Sequence, residues 1–130
     1  PGHADAGDLH RTILLVDDDP DVRSVTSMML GSLGYSVVEA ESGDDALKKI
    51  DTGIELVLTD FAMPNMTGAE LAEIIRRNYP ELPVMFITGF ADIDILDVDQ
   101  QLIVQKPYKE EELARKLANV LMKNGMGVAS

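Results

Sequence analysis

The stretch ILLVDDDP, residues 13–20, joins an apolar run to three consecutive aspartates and a proline. The run is short and aliphatic, as in a strand covered on both faces. Pro20 suits the first position of a helix, so Asp19 falls at the N-cap, where its carboxylate accepts from a free backbone N–H. Asp17 and Asp18 have no such use. They stand at the carboxyl end of a buried strand, where adjacent like charges repel and desolvation disfavours the ionised form.

The same alternation continues along the chain. Apolar runs at 12–16, 35–40, 54–59, 82–88 and 101–105 read as five strands, separated by segments of helical period. Val22, Val25, Met29 and Leu33 are expected on the inner face of the first helix, with Gly34 as its stop. Ser42 and Asp45 open the second, with Ala46, Leu47 and Ile50 turned inward. Thr67 and Glu70 form a capping box for the third, whose buried stripe is Leu71, Ile74 and Ile75. The last helix opens on Glu110, Glu111 and Glu112, favourable at the positive end of the macrodipole, and buries Leu113, Leu117, Val120 and Leu121. The fourth is expected to be short or irregular, because 90–100 is rich in Asp, a poor helix-interior residue. Repeated βα units imply an α/β fold, a parallel sheet between helical layers.

Composition narrows the function. At 130 residues and 45% hydrophobic, the chain supports one core. Its 23 acidic and 11 basic residues give a net charge of −12, which argues against duplex nucleic acid as a direct partner. No apolar run approaches the ~18 residues of a membrane span, and residues 1–10 do not read as a signal peptide. There are no cysteines, hence no disulfide framework and no thiolate metal site. A cytoplasmic location is the simplest expectation. Residues 1–10 read as a flexible linker or tag remnant, 11–124 as the domain and 125–130 as a tail. His3 and His10 lie in that linker and are not expected to bind metal. Met63 and Met66 read as packing around a loop, and Gly68 as helix-start geometry.

In an open parallel sheet, ligands bind beyond the carboxyl ends of the strands, where the winding reverses. Strand one ends in Asp17 and Asp18, strand three in Asp60, strand four in Thr88, and strand five in Lys106. Clustered carboxylates are tolerable around a hard divalent cation such as Mg²⁺. An added ammonium and hydroxyl make a receptacle for a phosphoryl group, and a carboxylate can itself be the nucleophile.

Four motifs in this order, ILLVDDDP, LVLTDFAMPNMTG, VMFITGF and VQKPY, resemble the receiver domains of two-component response regulators over about residues 11–124. The resemblance implies a flavodoxin-like (βα)5 doubly wound sheet of order 2-1-3-4-5. It implies that Asp60 is the phosphoacceptor, taking a phosphoryl group from a phosphohistidine on a histidine kinase or histidine phosphotransfer protein. Asp18 would ligate Mg²⁺ (or Mn²⁺) directly and Asp17 mainly through water, with Asp60 and the backbone carbonyl of Ala62 completing the protein ligands. Lys106, joined to Pro107 by a cis bond in this family, would contact a phosphoryl oxygen. Thr88 would move toward the phosphoryl group and carry the signal to the fourth helix, fifth strand and last helix. Such a domain catalyses only its own phosphorylation and dephosphorylation; the phosphorylated state changes its interaction with a downstream protein. The stretch ITGFAD is similar to receivers that stand alone or belong to hybrid histidine kinases. A weak dimer is left open.

Two departures stand out. Three residues before Lys106 the family often carries an aromatic switch, where this chain has Ile103. The stretch from Thr88 to Lys106 is also about one helical turn short. Signal transmission is therefore expected through 92–99 rather than through a rotating ring. Two other functions compete with the receiver. A Mg²⁺ phosphatase with an aspartate nucleophile would need a second acid two residues on, where Ala62 stands. A scaffold that binds partners without phosphorylation would be expected to have lost Asp60 or Lys106.

Overall fold

The computed structural model describes residues 11–89 and 98–129. Residues 1–10 and the helix expected across 90–100 fall, wholly or for the most part, outside them, as does transmission through 92–97. The described order is β1 (Thr12–Val16), α1 (Pro20–Ser32), β2 (Ser36–Ala40), α2 (Gly43–Lys49), β3 (Leu56–Asp60), α3 (Gly68–Asn78), β4 (Val84–Thr88), a 3₁₀ turn (Gln100–Leu102), β5 (Ile103–Gln105) and α4 (Glu110–Ala129). The last helix thus runs past residue 124. No helix among the described residues is long and apolar enough to cross a membrane.

All strand pairs are parallel, in the order β2-β1-β3-β4-β5. Alternate residues of each strand feed opposite faces, as the two-residue period requires. Ile13, Leu15, Leu56, Leu58, Met85 and Ile87 pack with Leu30 of α1 and with Leu113, Leu117, Val120 and Leu121 of α4. Leu14, Val16 and Val57 pack on the other face with Ala46 of α2, with Ile50 just past its end, and with Leu71 and Ile75 of α3. Ile103 is buried in a smaller cluster with Phe61, Ala72 and Phe86.

The helix starts follow their caps. Asp19 accepts from the N–H groups of Asp21 and Val22. Ser42 accepts from the N–H of Asp45, and Thr67 and Glu70 form the reciprocal capping box. Gly34 takes φ +99° after α1, a conformation that favours glycine. Two helical faces differ from expectation. In α1, Val25 is 54% exposed, and the fully buried positions are Thr26 and Leu30. The stripe is rotated because the Thr26 hydroxyl finds a partner within the fold: it lies 2.8 Å from the Tyr108 hydroxyl. In α3, Ala72 is buried and Ile74 only half-buried.

Candidate functional site

The winding reverses between β1 and β3. The chain leaves β1 for β2 on one side and builds β3, β4 and β5 on the other. The carboxyl ends of β1 and β3 therefore flank an open crevice. Val16 pairs with Thr59, so Asp17 and Asp60 emerge side by side. Asp17, Asp18 and Asp60 bring one carboxylate oxygen each to within 4.8 Å of one another. Lys106, just past β5, points its ammonium at the same place, with Nζ 3.3 Å from Asp60 Oδ1.

Asp17 and Asp60 are only 2% and 7% exposed, whereas Asp18 is exposed. Burial raises the Asp17 carboxyl above its ordinary range, and Asp18 and Asp19 push the same way; the Asp19 N–H and Lys106 oppose them. Asp60 is raised first by burial, against the pull of Lys106, with Asp17 and Asp18 adding repulsion. Asp17 Oδ1 accepts from the Asp19 N–H at 2.9 Å, but buried Oδ2 has no hydrogen-bond partner among the described residues. A cluster of oxygens short of positive charge, one of them buried and unpartnered, fits a hard divalent cation.

The remaining expected site residues are arranged less directly. Thr88 ends β4 at 1% exposure, but its hydroxyl donates to the Gly89 carbonyl at 3.2 Å rather than to the acids. Ala62 is exposed on the loop that follows Asp60. The Lys106–Pro107 bond is cis, and the Lys106 N–H donates to the Thr88 carbonyl, tying the lysine to the end of β4. Met63 is buried and Met66 half-buried beside the loop, where they pack with the apolar core.

Gly68 does more than start a helix. Its N–H donates to the Phe61 carbonyl at 2.9 Å, and a Cβ there would lie 2.6 Å from the Asp60 carbonyl oxygen. The absent side chain lets the first turn of α3 close over the backbone of Asp60. Arg23 was missed in the sequence. Its Nη1 donates to the Asp17 carbonyl at 2.7 Å. The available signal was a cation in the opening turns of α1, where the macrodipole disfavours positive charge.

Residues 13–118 match the family of the response regulator receiver domain. The chain belongs to that family. It is 33% identical over 118 residues to the response regulator receiver protein CpdR of Brucella abortus, covering 86% of this chain and 98% of CpdR. Over 83 residues it is 40% identical to the CAI-1 autoinducer sensor kinase/phosphatase CqsS of Vibrio cholerae, covering 61% of this chain but 12% of CqsS. It likewise spans 20% of a putative transcriptional regulator of Haloferax volcanii. Among solved structures, a receiver domain from Clostridium thermocellum superposes with a TM-score of 0.82 at 23% identity, covering 89% of this chain and 98% of that one. That likeness is one of fold. The regulator TrrA of Thermotoga maritima, solved with Mg²⁺ and beryllofluoride, gives 0.74 at 31% identity, covering 84% of this chain and 97% of TrrA. The chain is thus a receiver domain of two-component signalling, with the acidic cluster at the edge where receivers bind Mg²⁺. Receivers interact with histidine kinases or phosphotransfer proteins and with downstream effectors.

Proposed function

We propose that Asp60 is the phosphoacceptor of this receiver and that Asp17, Asp18, Asp60 and the Ala62 carbonyl hold a Mg²⁺ or Mn²⁺ ion. An Asp60 carboxylate oxygen attacks the phosphorus of a phosphohistidine. The new O–P bond replaces the P–N bond, and the imidazole nitrogen leaves with the electron pair. Bound in the crevice, the cation would neutralise negative charge on the transferring group and the carboxylates. Lys106 already reaches Asp60 and supplies a second cation for a phosphoryl oxygen. Thr88 would turn its hydroxyl from Gly89 to the phosphoryl group, gaining a charge-assisted bond. Ile103, buried against Phe86, offers no ring to swing in response. The donor is a histidine kinase or a histidine phosphotransfer protein in the cytoplasm, and the receiver either stands alone or forms part of a hybrid kinase.

The observation that carries this reading is the single crevice shared by Asp17, Asp18, Asp60 and Lys106. Incubation with acetyl phosphate and Mg²⁺, followed by mass spectrometry, tests it. One phosphoryl adduct on Asp60 is expected, lost with chelator and absent in Asp60→Asn. An adduct on Asp17 or Asp18, or none at all, refutes the assignment.

A further inference from the structure

We propose that Arg23 is a positioning residue for the metal-binding carboxylates, an inference that rests on the metal site assigned above. Its side chain is only 18% exposed and is held at two points. Nη1 donates to the backbone carbonyl of Asp17 at 2.7 Å, and Nε donates to Glu39 Oε1 at 3.1 Å. One planar guanidinium therefore joins the end of β1 to β2 from the second turn of α1. A guanidinium fixes two acceptors in a rigid fork, which a single ammonium cannot reproduce.

The choice of acceptors matters. A cation bonded to the Asp17 carboxylate would compete with Mg²⁺. Arg23 takes the carbonyl instead, and Glu39 neutralises it from the far side. Asp17 is then fixed by backbone bonds at both ends. Its N–H donates to the Ala40 carbonyl, and its carbonyl accepts from Arg23. With the Asp19 N–H aiming Oδ1, the orientation of the whole Asp17–Asp18 link follows. Glu39 is braced in turn, because Lys49 of α2 donates to its carbonyl at 2.7 Å and pairs with Asp45 at 3.0 Å. Partners that orient a metal ligand typically change affinity 10–100-fold when removed.

The test is Mn²⁺ titration of the whole chain, read by electron paramagnetic resonance, with a thermal melt of each metal-free variant. Arg23→Gln is expected to weaken Mn²⁺ binding about tenfold or more. Arg23→Lys should recover part of that loss by restoring one bond. Glu39→Gln, which keeps an acceptor oxygen, should weaken binding less, and it serves if Arg23→Gln does not fold. A lowered Tm with unchanged Mn²⁺ affinity would show a purely structural role and overturn the proposal. Equal, weak binding by the wild type and Asp18→Asn would instead remove the metal site itself, and this inference with it.

Discussion

The two edges of the sheet handle charge in opposite ways. At the amino edge a cleft of about 540 Å³ opens among Arg11, Ile54, Glu55, Tyr79 and Leu82. Its charges are solvated. Arg11 and Glu55 meet at 3.9 Å with both side chains partly exposed, and Glu55 also accepts from the Thr12 N–H. At the carboxyl edge two carboxylates are buried with a third beside them. A cleft alone marks no chemistry; unbalanced burial of charge is the sign of a site. The amino edge can relax its charges into water, whereas the carboxyl edge holds them together, which is useful when a cation and a phosphoryl group must be received.

The largest effect expected is that of metal. At a hundredfold excess over Kd, Mg²⁺ should stabilise the wild type by about 2.7 kcal/mol, and Asp18→Asn should lose most of this. Thermal melts with Mg²⁺ and with chelator measure both, and an unshifted wild-type Tm would erase the distinction between the edges. Next comes Gly68→Ala, whose methyl would press on the Asp60 backbone. It should cost about 1–3 kcal/mol in denaturant unfolding and slow phosphorylation by acetyl phosphate. An unperturbed variant would mean that the α3 approach is looser than the geometry requires.

A third effect separates the edges by pH. The folded-state pKa values of Asp17 and Asp60 are raised, so the metal-free folded chain holds these protons more tightly than the unfolded chain. Their contribution to stability falls as pH rises from the ordinary carboxylate range through the raised one, and is flat beyond. The Tm of Asp17→Asn/Asp60→Asn, relative to metal-free wild type, should therefore climb over that window. Saturating Mg²⁺, which favours the ionised acids, should reverse the order at neutral pH. The smallest effect belongs to the amino edge. Arg11→Ala should change stability by less than about 0.5 kcal/mol and leave Mg²⁺ affinity unchanged. A larger loss by denaturant titration would show that this edge also stores electrostatic energy.

Much of the fold was legible because its signals are local. The run at 12–16 coincides with β1, and Asp19, Ser42 and Thr67 cap the helices they precede. The site was legible because strand ends in a parallel sheet share an edge, so Asp17, Asp18, Asp60 and Lys106 could be gathered from sequence position. What escaped depended on distant partners. Val25 looked inward by periodicity, but Thr26 is buried instead, through a tyrosine 82 residues away. Arg23 was passed over, because the carbonyl it holds lies in the backbone and has no side-chain signature. Gly68 read as helix-start geometry, and only the approach of the Asp60 backbone shows why a side chain cannot stand there.

The Thr26–Tyr108 bond also bears on how the chain comes to be made. Synthesis delivers α1 long before Tyr108, and closing so long a loop costs conformational entropy that local contacts avoid. Until the residue beyond β5 arrives, the hydroxyl at the centre of α1 has no such partner, and its burial is disfavoured. The first helix therefore completes its packing only when the segment carrying Lys106 is in place. A nascent chain that has not yet reached Lys106 also lacks a finished first helix, which ties the completion of α1 to the synthesis of the segment that follows β5.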